Sequence, residues 1–229
     1  MPTAAPIVLT EDALTAQARR LLAQANGSPR RVILGIAGIA GSGKSTLGER
    51  LMSVLNRADL GGPGAAVFIP MDGFHLPNAT LIERGWKPRK GAAFTYDAEA
   101  YVGLLQKYTH MPRTGVYPVY CRKVHEPVQS EVQVTTATRV IVTEGQYLLL
   151  PETPWSALGD VLDECWWLDV PPSQARGWLM RRDTSVGRSP EEAETKYQRN
   201  DRLNTEHVLA GRREPDLIVR WPDRGENGG

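Results

Sequence analysis

Apolar residues at Leu14, Ala18, Leu21 and Leu22 recur at helical spacing and predict a first helix. Thr10 stands where it can cap that helix, Glu11 and Asp12 suit its positive end, and Gly27 stops it. The pattern then changes. Val32-Ile-Leu-Gly-Ile-Ala37 is an unbroken apolar run, which predicts a buried parallel strand; a glycine-rich turn and a helix from about Lys44 to Leu55 follow. Further strands are expected at Ala66–Pro70, Val140–Thr143, Cys165–Val170 and Leu217–Val219, with helical segments between most of them. Such alternation predicts an α/β fold, a three-layer sandwich around a mostly parallel sheet of roughly five strands. Tyr117–Arg122 and Val132–Thr136 read as shorter strands outside that sheet.

Some prominent residues fit this framework without any chemistry. Trp166 and Trp167 fall in a predicted strand and read as core packing, and Asp97 reads as the cap of a helix through Tyr101 and Leu105. Ser173 is expected to cap a helix running to about Arg182, followed by a basic loop, Arg181-Arg-Asp-Thr-Ser-Val-Gly-Arg188. At Ser189-Pro190-Glu191-Glu192 a helix restarts: serine caps, proline takes the first helical position, and Glu192 completes a capping box. Two helices joined by an arginine-bearing loop predict a lid over about residues 181–196.

At 229 residues, 41% of them hydrophobic and 23% charged, the chain suits one α/β domain over residues 1–229. A formal charge of +1 supports neither nucleic acid nor a membrane as partner, so anion recognition has to be local. The two cysteines, Cys121 and Cys165, lack the spacing of a zinc site and supply no disulfide framework. Met1-Pro-Thr-Ala-Ala-Pro does not read as a signal peptide, and no apolar run approaches the roughly 20 residues that span a bilayer. A soluble cytoplasmic protein is expected. An oligomer is left open.

The strongest chemical signal is Gly38-Ile-Ala-Gly-Ser-Gly43-Lys44-Ser45, which fills the P-loop pattern between a predicted strand and a helix. Here Gly38, Gly41, Ser42 and Gly43 would turn backbone N–H groups onto phosphate oxygens of ATP at a helix N-terminus. Lys44 would reach the β- and γ-phosphates, Ser45 would ligate Mg²⁺, and Thr46 completes the nucleotide-binding set. The rival reading is a glycine turn that merely precedes a helix. No Asn-Lys-x-Asp or Leu-Ser-Gly-Gly sequence occurs, which argues against a GTPase and an ABC-type ATPase.

Met71-Asp72-Gly-Phe-His75 follows the next predicted strand, where loops line the ligand crevice of an open parallel sheet. A carboxylate there can take the proton from an attacking hydroxyl; alternatively, Asp72 caps a turn beside Gly73. Glu144 ends the run Val140-Ile-Val-Thr-Glu, as an Mg²⁺ group or a solvated strand end. Arg89 and Lys90 read as a surface charge pair or as a clamp on an acidic substrate group.

The stretch Asp72–Asn78, then Glu83-Arg-Gly85, Arg89-Lys-Gly91 and Tyr96-Asp97, resembles type I pantothenate kinase. Tyr120-Cys-Arg-Lys-Val-His125 resembles the Tyr-x-x-x-x-His segment of uridine kinases, and Arg181 through Arg188 resembles their arginine lid. These enzymes form one superfamily with phosphoribulokinase. Asp-Gly-Phe-His and Arg-x-x-His-Glu-Pro are most similar to its small bacterial sugar-kinase-like members of the fructose-transport type.

The resemblance runs from about Val32 to Val219 and implies a P-loop kinase fold with an acceptor-side insertion over about 111–137. It implies Asp72 as the catalytic aspartate and Glu144 near metal and substrate. Arg181 and Arg188 would act in catalysis, and Arg182 on the nucleotide. His75, Lys90, Tyr120, Arg122 and His125, with Asp72, would bind the acceptor. The expected function is transfer of the ATP γ-phosphoryl group to a hydroxyl of a small molecule: a sugar, a nucleoside or a pantothenate-like alcohol. The alternative is an ATP-binding regulatory module, or a slow ATPase, with no acceptor.

Overall fold

The apolar run Val32–Ala37 forms a strand whose six residues are all buried, in a computed structural model that describes residues 5–222. Residues 1–4, part of the stretch read above as no signal peptide, and the polar tail from Asp223 lie outside the described residues. In chain order the elements are β1 (Ile7–Val8), α1 (Glu11–Ala25), β2 (Val32–Ala37), α2 (Lys44–Leu55), β3 (Ala66–Pro70), α3 (Asn78–Glu83) and α4 (Ala98–Thr109). There follow β4 (Gly115–Cys121), β5 (Glu126–Val134), β6 (Val140–Gly145), β7 (Glu164–Leu168), α5 (Pro172–Ser185), α6 (Pro190–Lys196), α7 (Arg202–Gly211) and β8 (Leu217–Arg220).

The main sheet has six strands in the order β1-β8-β7-β2-β6-β3, and every pairing in it is parallel. The expected five become six because Ile7 and Val8 pair with Val219 and Arg220. A two-residue strand has no period to read. Thr10 and Asp97 cap their helices through their side chains as expected, and Trp166 and Trp167 are both buried in β7. Leu14, Ala18 and Leu21 of α1 join Leu47, Leu51 and Leu55 of α2 in the core beside the sheet.

Two expectations at α5 are corrected. The helix begins at Pro172 behind Pro171, so Ser173 lies inside its first turn and does not cap it. It also continues to Ser185, so Arg181 and Arg182 are helical and the loop shrinks to Val186-Gly187-Arg188. Tertiary contact explains the extra turn: Asp183 is buried and accepts from Lys196 Nζ of α6 at 2.7 Å. The capping box at Ser189 and Glu192 forms in both directions.

Outside the sheet, β4 and β5 make an antiparallel hairpin, with Tyr120 opposite Pro127. Its position is set by Arg31, a fully buried guanidinium. Arg31 donates to the carbonyls of Tyr108, His110, Arg113, Thr135 and Thr138 at 2.8–3.2 Å. These carbonyls belong to the end of α4 and the segments on either side of the hairpin. Without the guanidinium the carbonyls of Tyr108, Arg113 and Thr138 lose this donor, while those of His110 and Thr135 keep only the backbone N–H groups of Arg113 and Thr138. Arg31→Met is therefore expected to cost on the order of 3 kcal/mol, which lowers the unfolding temperature by about 6–12 °C at this size. A calorimetric shift under 2 °C would contradict that role.

Candidate active site

β2, β6 and β3 lie side by side, and their carboxyl ends bring the chemistry together. Ala37 pairs with Gly145, and Pro70 with Glu144, so the glycine loop after β2, Glu144 in β6 and Asp72 after β3 meet at one edge. They open into a cleft of about 1850 Å³. Of the residues expected to act, Gly41, Gly43, Lys44, Ser45 and Thr46 line it on the loop side. Asp72, His75, Lys90, Tyr120, Arg122 and His125 line the opposite side, with Glu144 between and Arg181, Arg182 and Arg188 above. Gly38 and Ser42 shape the loop beneath.

On the loop side, Gly43 caps α2 at φ +92°, a conformation that suits glycine. A Cβ there would also come 3.1 Å from Trp221 Nε1, which donates to Ser42 O at 3.0 Å and so braces the loop. Ser42 Oγ is buried and has no hydrogen-bond partner among the described residues. Lys44 is buried too, and its Nζ donates to Ile39 O at 2.9 Å. Burial lowers its pKa, against the opposing charges of Glu144 and Asp72. Ser45 Oγ donates to Glu144 Oε1 at 3.1 Å, and burial pushes the Glu144 carboxyl up to about 7, with Lys44 pulling the other way. A solvated strand end is thereby excluded for Glu144.

On the opposite side, Asp72 sits in a single 3₁₀ turn, Met71–Phe74. Gly73 is a glycine because β4 passes directly over it: a Cβ there would lie 2.1 Å from Pro118 O. Asp72 Oδ1 accepts from Tyr96 OH at 3.1 Å. His75 Nδ1 lies 2.8 Å from Asp72 O, and its ring lies 4.1 Å from that of Tyr96 and 4.9 Å from that of Tyr120. A carbonyl only accepts, so Nδ1 carries the proton, and burial lowers the pKa of the ring. In the neutral ring Nε2 is then an acceptor.

Lys90 and Arg89 part company. Lys90 lines the cleft and donates to His125 O at 2.7 Å and Asn78 Oδ1 at 2.8 Å, over the ring of Tyr120. Arg89 is half-buried and does not line the cleft; it donates to Asn200 Oδ1 and Asn204 Oδ1 at 3.3 and 3.2 Å. Tyr120 is half-buried near the end of β4, outside the core. β4 ends at Cys121, so Arg122 belongs to the turn and not to the strand expected for it; it is exposed, as is His125 at φ +54°. In the helix pair, Arg188 and Arg182 lie 3.5 and 3.7 Å from Asp183.

Tyr96, Gln146 and Trp221 also line the cleft, and the sequence reading assigned them no role there. Their places depend on pairing across the sheet and on chain returning from 24 and 179 residues away, which no local spacing encodes.

No family model matches the chain. A Schizosaccharomyces pombe protein carried as a candidate uridine kinase is 33% identical over 224 residues, 94% of this chain and 92% of its own. Streptococcus pneumoniae pantothenate kinase is 29% identical over 151 residues, 66% of this chain and 48% of its own. Among solved structures, a candidate fructose transport system kinase from Silicibacter sp. TM1040 superposes with a TM-score of 0.80 at 32% identity, covering 91% of this chain and 98% of its own. The chain therefore belongs to the P-loop small-molecule kinases of the uridine kinase type and is a phosphotransferase with an alcohol group as acceptor.

Proposed function

We propose that this kinase transfers the γ-phosphoryl group of ATP to a hydroxyl of a sugar, a nucleoside or a pantothenate-like alcohol, with Asp72 as the base. The observation that carries this reading is the meeting of Lys44, Glu144 and Asp72 at the adjacent ends of β2, β6 and β3. Asp72 takes the hydroxyl proton as the oxygen attacks the γ-phosphorus in line, and the bond to the bridging oxygen of ADP breaks opposite. Lys44, Arg181 and Arg188 neutralise the charge that develops, and Arg182 holds the nucleotide.

Ser45 and Glu144 are the residues that would hold Mg²⁺. They fit it, because a buried carboxylate already in contact with a hydroxyl favours a cation beside it. The ion would supply charge neutralisation on the phosphates. The loop Val186–Arg188, set between two helices, supports a lid over about residues 181–196. The thiols of Cys121 and Cys165 are free, which supports a reducing cytoplasm as the setting.

The test is ADP formation against a panel of sugars, nucleosides and vitamin alcohols: an acceptor should accelerate it. ADP formation indifferent to every acceptor would favour the regulatory or slow-ATPase reading. A narrower prediction concerns the hairpin turn. Arg122→Ala and His125→Asn (asparagine tolerates the left-handed backbone) should each raise the acceptor KM about tenfold, with KM for ATP within twofold. Steady-state kinetics in which ATP affinity falls and acceptor affinity holds would move this turn to the nucleotide side.

A further inference from the structure

Gln146 follows the end of β6 and is 9% exposed, and it faces the cleft beside Tyr96, Lys90 and Gly91. Its Nε2 donates to Gly91 O at 3.0 Å. That contact fixes the amide orientation, because a flipped amide would set oxygen against oxygen. Gly91 O also accepts from Tyr147 OH at 2.6 Å and Asn204 Nδ2 at 3.1 Å, so the amide is anchored in a crowded, rigid place. What remains is Oε1. It is buried and has no hydrogen-bond partner among the described residues. A buried acceptor left without a donor is costly, and a ligand that supplies one removes the cost.

Two other groups of the cleft share this character, among donors such as Lys90 and Arg122. The Asp72 carboxylate is an acceptor, and so is Nε2 of His75 in the neutral ring whose Nδ1 donates to Asp72 O; both residues line the same cleft. A ligand with several hydroxyls suits this mixture, since each hydroxyl can donate to one group and accept from another. We propose, on the kinase reading above, that Gln146 is a specificity-determining residue: its Oε1 accepts from a second hydroxyl of the acceptor molecule. The acceptor is accordingly a polyhydroxylated, sugar-like compound or moiety. A site built to hydrogen-bond a substrate hydroxyl rejects the analogue that lacks it, because its own buried group is then unpaired.

The experiment measures kcat/KM for D-ribose, D-fructose, uridine and pantothenate, each with its monodeoxy analogues, in the wild type and in Gln146→Met. For the best acceptor, one analogue that keeps the phosphorylated hydroxyl should lose about 10- to 100-fold, mostly in KM. Gln146→Met should lose a similar factor with the parent, and in that variant the parent and this analogue should differ by less than twofold. A purely structural role would leave the parent-to-analogue ratio unchanged in the variant, which overturns the proposal. The wild-type series needs no variant to fold: equal kcat/KM for the parent and every such analogue also overturns it. ADP formation that no panel member accelerates has a different signature and overturns the kinase reading together with this inference.

Discussion

Lys44→Ala is expected to abolish phosphoryl transfer while leaving a folded protein. The Lys44 ammonium is buried, and among the described residues its one hydrogen bond is to Ile39 O. Burial disfavours its charged form, so the side chain is held in place at a cost to stability. Its removal should shift the unfolding temperature by no more than a few degrees. Turnover should fall by on the order of 10³-fold, because the group we propose to neutralise the transferring phosphate is gone. Circular dichroism with steady-state turnover checks both halves. Near wild-type turnover would remove the glycine loop from the chemistry.

Asp72→Asn is the second large effect. Asparagine keeps the shape and can still accept from Tyr96, so the 3₁₀ turn under β4 should hold. Only the proposed base is lost. A fall of about 10²–10⁴ in kcat is expected, with ATP affinity changed less than threefold. Isothermal titration separates the outcomes. If ATP binding disappears instead, Asp72 serves the metal and nucleotide, and the proton must leave by another route.

The residues that made this site legible in the sequence are those whose positions are set locally. The loop Gly38–Ser45 carries its own turn chemistry, and β2 before it and α2 after it keep the boundaries read from the apolar pattern. Asp72 was legible for the same reason, being the first polar residue past a buried strand. Arg31 is the opposite case: its five carbonyl partners lie 77–107 residues away, and an arginine ahead of a strand looks like any surface charge. Arg89 failed similarly, because its partners Asn200 and Asn204 arrive from a π-helical turn, Tyr197–Asp201, and the start of α7. The extra turn of α5 depends on Lys196 meeting Asp183 across the loop. Gln146 was hidden in plain view two residues past Glu144, since an unsatisfied amide oxygen is a property of the packed site and not of any spacing.

The most direct test of the whole account follows the γ-phosphate itself. The wild-type protein is given ATP, Mg²⁺ and a mixture of sugars, nucleosides and pantothenate, and the products are read by ³¹P NMR. The predicted result is a new phosphate monoester that accumulates in step with ADP, with little inorganic phosphate. Inorganic phosphate as the sole destination of the γ-phosphate, or ATP left unconsumed, would contradict it.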